Sequence, residues 1–461
     1  MSARSDRTLE VLARVGLITV VLSPLGFGAV NLQVWVPLSL LWILLGAATV
    51  TIRRWKQATR DDEGGRFNPL PRPVFLLHAL FALQSVPLPA SILRAISPGS
   101  FAAHLIPPVD PAAWAPLTAS PTGTFQAWLF VAGLHGLVVC IFYADRALQV
   151  RRLQLLMAGI AGVGGLLALE GLVQRTSAHP HWLYGLYKVP GAGVHESGIF
   201  GPYYNRDHYS NLMALTGSVA AGLLTLALQR VDLRSLSRFT AAEAFPRIVA
   251  LGVVLALTAA ASAAAGSRGG LIALGVGLVI GLGPLLFDRP RLTLGLFISL
   301  FVLLFATGVP AAFMRLANVD FEASRLVVWN DATRLLTFFP LAGSGLGAFA
   351  VAYWPYQRVV RFEYWPHAHN EYLQWLIEAS LLGVILGCYV LRLVWVNAPR
   401  LVREAHTRPA LAGVGAMLVH SLVDCVLRVP ANAAWATLLA AGLVLISVPG
   451  EPYREAGAAR R

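Results

Sequence analysis

The chain alternates long apolar runs with short polar breaks. A helix that crosses a bilayer needs roughly 20 mostly apolar residues. By that measure the sequence predicts twelve spans, near 13–31, 33–52, 73–92, 124–144, 153–173, 208–229, 247–265, 269–288, 292–311, 371–395, 409–429 and 431–449. Pro87 and Pro89 interrupt the third, and Pro430 with Asn432 supplies a turn between the last two. The first run follows Arg7 and Arg14 like a signal sequence, but no convincing cleavage site follows Pro24, so it is read as a retained span. The expected fold is an all-α, polytopic integral membrane protein, a single membrane domain over 1–461 with about 12 transmembrane helices.

The longest stretch that does not suit a bilayer core is 312–370. It carries Arg315, Arg325, Arg334, Arg358 and Arg361, and it runs out through Trp365-Pro366-His367-Ala368-His369-Asn370-Glu371 into an apolar run. Basic residues fix its side of the membrane, because cytoplasmic segments hold the excess of Lys and Arg. With the N-terminus inside, 25 of the 36 Lys and Arg fall on cytoplasmic segments, and a shift by one span inverts the bias. Segments 93–123, 174–207 and 312–370 then share the outer face. The first is Pro-rich with one basic residue, Arg94, and reads as a covering loop. A cysteine placed at Ala348 is expected to react there with an impermeant thiol reagent.

Composition agrees. Charged residues are 13% of the chain and apolar ones 56%, against about 25% charged in soluble domains. The net charge of +13 is mostly the topogenic bias, so membrane lipids are expected partners and nucleic acid is not. Cys140, Cys388 and Cys425 lie in apolar runs without metal or redox spacing and read as small core residues. No internal repeat and no matched pair of broken helices, as transporters use, is visible.

Four polar clusters converge on the outer face: Asn205-Arg206-Asp207-His208, Gly266-Ser267-Arg268-Gly269-Gly270, Arg325 with Trp329, Asn330 and Asp331, and His367 to Glu371. Each has a plainer reading. Interfacial arginines bind lipid headgroups, Arg268 can simply start a helix, and a histidine at a helix start can be structural. His420, Asp424 and Arg428 fall at i, i+4 and i+8, which predicts a structural ladder on one helix face. Glu378 reads as a packing group. No carboxylate–histidine metal set is visible, so no metal and no cofactor is expected.

The Gly-Ser-Arg-Gly-Gly turn, the arginine-bearing outer loop and the His-Asn-Glu-Tyr-Leu helix start resemble the O-antigen ligase family. That family includes lipopolysaccharide O-antigen ligases, repeat-unit polymerases and some protein O-oligosaccharyltransferases. The Asn-Arg-Asp-His segment and His420-Ser421-Leu422-Val423-Asp424 are similar to polymerase-like members, and the likeness spans 195–435. It implies a GT-C-like glycosyltransferase of the bacterial inner membrane, working at the periplasmic face in lipopolysaccharide or exopolysaccharide assembly at the cell envelope. The implied reaction is metal-independent and inverting. It moves a glycan from a polyprenyl (undecaprenyl) diphosphate to a hydroxyl on a glycan, a lipid A core or a protein. By residue, the likeness implies Arg268 and Arg325 at the diphosphate and His369 activating the acceptor, with His367 a second candidate base. Asn205, Arg206, His208, Asn370 and Glu371 are expected to line the substrate site. Elementary chemistry agrees: guanidinium forks match an oxyanion and stay charged, and imidazole takes a proton near neutral pH. The rival class is a lipid-linked glycan transporter or flippase.

Overall fold

Burial and backbone pairing set where the apolar runs start and stop. The computed structural model describes residues 2–59, 69–104, 113–188, 198–231, 243–307, 320–358 and 365–447. Arg315 and Arg361 lie outside them. The longer helices are α1 (Ser2–Leu22), α2 (Leu32–Thr59), α3 (Arg72–Ser85), α4 (Pro121–Phe142), α5 (Arg146–Thr176), α6 (Arg206–Leu228) and α7 (Phe245–Ala265). They continue as α8 (Arg268–Asp288), α9 (Pro290–Thr307), α10 (Asp320–Thr333), α11 (Glu371–Arg403), α12 (Arg408–His420) and α13 (Pro430–Ser447). Among the described residues, nine helices are long and apolar enough to cross a membrane. These match nine of the expected spans. Of the other three, α9 ends at the edge of the described residues, while α3 and α12 are only 14 and 13 residues long.

α6 is the axis of the bundle. Its membrane window is 89% buried, whereas that of α11 is 17% buried, so α6 is walled by helices and α11 lies at the periphery. α7, α8 and α12 pack on α6 through small residues, which let helix backbones approach where lipid gives no hydrophobic drive. A Cβ on Gly277 would fall 1.8 Å from Ser218 Oγ, and one on Gly222 would fall 2.5 Å from the Pro409 Cα. The neighbouring group of α1, α2 and α4 uses the same device, with Gly46 against Gly136.

Three expected spans are broken, each for a local reason. The third stops at Ser85, because Pro87 and Pro89 cannot continue a helix. They form instead a three-residue strand, β1 (Pro87–Pro89), antiparallel to β2 (Trp114–Pro116). These two short strands form the one named sheet among the described residues, beside two isolated bridges, Leu183 with Tyr187 and Phe200 with Tyr203. The eleventh span ends at His420, and residues 421–425 turn sharply before a short 3-10 turn, Val426–Arg428. Asp424 Oδ1 accepts from the Cys425 N–H at 2.8 Å, a side-chain bond that competes with the helical one. Pro430 then begins α13 and Asn432 lies within its first turn.

The third break is in α11, where Ser380 has φ 40° and ψ −130°. The chain before α11 enters the bundle here and replaces the missing helical bonds. Ser344 N–H donates to Ile377 O at 2.9 Å, Gly345 N–H to Glu378 O at 3.1 Å, and Leu382 N–H to Leu341 O at 3.1 Å. Gly343, at φ 78°, permits the approach, since a Cβ there would sit 2.2 Å from the Glu378 carbonyl carbon. Gln84 on α3 clasps the junction, donating to Ala342 O at 2.6 Å and Glu378 O at 2.8 Å. Its Oε1 accepts from Leu346 N–H at 2.9 Å. Ala348 is consequently 1% exposed, which corrects its expected accessibility. Residues 113–123 pack onto the same insertion, with Ala119 N–H donating to Ser344 O at 2.7 Å.

Candidate active site

The start of α11 and the end of α12 meet the starts of α6 and α8, and the polar clusters come together there. Asn370 caps α11, its side chain accepting from Leu373 N–H at 3.0 Å. Asn205 caps α6 in the same way, accepting from Asp207 N–H at 2.8 Å. Both residues therefore position neighbours. His369 precedes the cap with φ 51°, a left-handed conformation rare outside glycine and often kept at functional positions. Trp329 holds it by donating from Nε1 to Ala368 O at 2.7 Å.

The central contact is His369 Nδ1 to Asp424 Oδ1 at 2.7 Å. Asp424 is 1% exposed. Burial works against its charge, but the His369 hydrogen bond and the nearby His208 and Arg325 hold its carboxyl well below the usual range. The pairing leaves His369 Nε2 on the far side of the ring. His367 lies differently. Its Nδ1 meets Gln374 Nε2 at 3.3 Å, and burial, with the Arg428 charge second, pushes its imidazole down to about 3.

Arg325 on α10 reaches into this centre. Its Nη1 donates to Val423 O at 2.7 Å and its Nη2 pairs with Asp207 Oδ2 at 3.4 Å. Arg268 opens α8 behind Gly266, whose φ of 69° closes α7. The glycines that follow serve packing: a Cβ on Gly269 would meet Val423 Cγ2 at 2.8 Å and His420 Nε2 at 2.9 Å, and one on Gly270 would meet Ser210 Oγ at 2.0 Å. Arg206 opens α6 and is partly buried.

The expected ladder of His420, Asp424 and Arg428 is not formed, because the helix ends between its members. Asp424 turns to His369, and His420 Nδ1 meets Asn211 Nδ2 at 3.2 Å. Arg428 pairs with Glu371 Oε2 at 3.2 Å and Glu378 Oε2 at 3.0 Å. Glu371 Oε1 also accepts from Leu427 N–H at 2.8 Å, so that residue braces the turn below the site. Glu378, expected as a packing group, is one of the two carboxylates of this ionic brace.

His208 Nε2 lies 3.6 Å from Cys425 Sγ, and its carbonyl accepts from Asn432 Nδ2 at 2.9 Å. Asn432 bonds as well to Asn211 Oδ1 at 3.0 Å and accepts from Tyr203 OH at 2.8 Å. Asn211 had a signal in the sequence, an amide inside an apolar run, costly unless paired; Asn432, expected only as a turn residue, joins the same network. The sequence showed no metal set, since His208 and Asp424-Cys425 are far apart in it. The structure brings one ligand atom each of His208, Asp424 and Cys425 within 4.8 Å of the others.

These features define a class: a multi-pass, all-α membrane protein with a histidine–carboxylate pair and arginines at one end of its helix bundle. Residues 252–388 match the family model described as O-antigen ligase. The chain thus carries an O-antigen ligase family domain, and the match takes in Arg268, Arg325 and His369. That domain supports a glycosyltransferase of O-antigen ligase type, which takes a lipid-linked glycan donor and a glycan acceptor in general. No curated protein and no solved structure matches the chain.

Proposed function

We propose that the protein transfers an oligo- or polysaccharide from a polyprenyl diphosphate to an acceptor hydroxyl, with His369 as general base. The observation that carries this is the His369–Asp424 pair at 2.7 Å, in the cluster that contains Arg325. Asp424 holds the Nδ1 proton and the ring's orientation, leaving Nε2 to accept the hydroxyl proton. The deprotonating oxygen forms a bond to the anomeric carbon as the bond from that carbon to phosphate breaks. One displacement inverts the configuration, and the diphosphate leaves with the bonding pair. Arg325 and Arg268 stabilise the charge that grows on it. Arg206 and His208 line the approach. A hydroxyl on a glycan repeat, a lipid A core or a protein side chain meets the same base, so the geometry supports a transfer class rather than one acceptor. The rival flippase reading wants polar groups at mid-depth in two related halves; here they gather at one end.

Arg268→Lys and Arg325→Lys test the reading. Each is expected to lower transfer by about 10²-fold, the scale of losing one preorganised donor, with membrane insertion unchanged. Transfer at the wild-type rate by either variant removes that arginine from the site. Transfer is also expected to persist in excess EDTA, because the arginines and the Asp424–His369 pair supply the charge and the base. Loss in chelator with recovery on Mg²⁺ or Mn²⁺ would overturn that arm.

The charge bias places this end of the bundle at the periplasmic face of a bacterial inner membrane in our reading. Arg358 is exposed, and Arg358→Cys in a background free of the three native cysteines is expected to label from outside in intact cells. Labelling only after the inner membrane is opened would invert the proposed orientation.

A further inference from the structure

His208, Asp424 and Cys425 form a donor set that the transfer chemistry does not use as a set. Asp424 Oδ1 lies 3.5 Å from Cys425 Sγ, and His208 Nε2 lies 3.6 Å from it. One ligand atom from each of the three lies within 4.8 Å of the others. A tetrahedral ion with bonds of about 2.3 Å to sulfur and about 2.0–2.2 Å to nitrogen or oxygen spaces its ligands about 3.3–3.7 Å apart. Both sulfur distances fall in that interval. His369 Nδ1 stands 3.9 Å from the same sulfur, the next donor toward a fourth position.

A second observation points the same way. Asp424 Oδ2 is buried and meets no hydrogen-bond partner among the described residues, in a residue 1% exposed. An orphaned buried carboxylate oxygen is a costly feature that a cation relieves. Thiolate, imidazole and carboxylate together suit Zn²⁺ far better than Mg²⁺ or Ca²⁺, which take oxygen ligands. Cys425 is also 1% exposed, while His208 and His369 are partly open, so an ion reaches the sulfur past the imidazoles.

We propose that this cluster binds one thiophilic divalent cation, with Zn²⁺ as the probe, and that the bound ion stops transfer. Binding forms a Zn–S bond and releases the Cys425 thiol proton to solvent. Asp424 turns from His369 to the ion, and the base loses the partner that orients it. Cys425 itself has no part in transfer. The inhibition rests on the reading of His369 and Asp424 given above; the binding does not.

The test uses the full-length protein in detergent, first with Co²⁺ as a spectroscopic stand-in. One equivalent of Co²⁺ is expected to give the near-ultraviolet absorption of a cobalt–thiolate bond, which Zn²⁺ then displaces. Cys388 is exposed, so Cys388→Ser is the control and is expected to keep the band. Cys425→Ser is expected to lose it and to weaken Zn²⁺ by more than the roughly 10- to 100-fold that losing an outer-shell partner costs. Transfer by the wild type is expected to fall with Zn²⁺ and recover in EDTA, whereas Cys425→Ser keeps transfer and ignores the ion. Cys425→Ala serves in its place if the serine variant does not fold. A cobalt–thiolate band that survives both Cys425 variants, or no binding at micromolar Co²⁺ and Zn²⁺, overturns the site. Zinc that binds through Cys425 yet leaves transfer untouched upholds the site and overturns the role of Asp424 and His369 in the reaction.

Discussion

His369→Ala is expected to lower turnover by roughly 10²- to 10⁴-fold, the range that general base catalysis contributes, while donor binding stays near the wild-type value. Binding is spared because the diphosphate contacts are assigned to arginines on other helices. Asp424→Asn is the sharper variant. It keeps the shape and the oxygen that accepts from Cys425 N–H, but it removes the charge that orients His369 through Nδ1. A loss on the order of 10⁴-fold is the scale seen when an aspartate that fixes a catalytic histidine becomes an amide. His367→Ala is expected to be milder, because that imidazole meets Gln374 and is held neutral by burial. Turnover and donor affinity measured on all three variants decide the matter. An inactive His367→Ala beside an active His369→Ala moves the base two residues.

Arg428→Ala is expected to destabilise the protein by about 3–5 kcal/mol, the cost of leaving buried partners of an ion pair uncompensated. The side chain is 21% exposed, with Glu378 at 0% and Glu371 at 8%, so water does little to screen the two carboxylates. Removing the arginine leaves both carboxylates buried without a counter-charge beside the turn that carries Asp424, each with only neutral donors on its other oxygen. Adding Glu378→Gln is expected to restore part of the loss, since one stranded charge disappears. Thermal unfolding of the detergent-solubilised variants reads both effects. A drop of less than about 1 kcal/mol in the single variant would show that the brace carries little.

The long helices were legible because an apolar run of bilayer length has few other fates. Their breaks were legible only in part. Pro87 and Pro89 announce the end of α3, since proline acts on its own backbone. Ser380 announces nothing, because the bend in α11 depends on backbone supplied by 339–345 and on Gln84. The same limit governs the site. Arg268, Arg325 and His369 stand in recognisable local motifs. Asp424 was seen, but in the wrong partnership: i, i+4 spacing carries meaning only while the helix continues, and α12 stops at His420. Cys425 looked inert because its neighbours His208 and His369 come from distant parts of the chain.

The clasp formed by Gln84 has a bearing on how the chain is made. Its amide bonds to Ala342 O across 258 residues of sequence and to Glu378 O across 294. At about 5–20 residues per second, the ribosome needs on the order of 10 to 60 seconds to supply those partners after Gln84 has emerged. During that interval α3, only 14 residues long, carries a polar side chain with its native partners unmade. The early helices therefore complete this contact only after those partners have been made. The insertion of 341–346, once made, closes the break in α11 and ties it to α3 through Gln84.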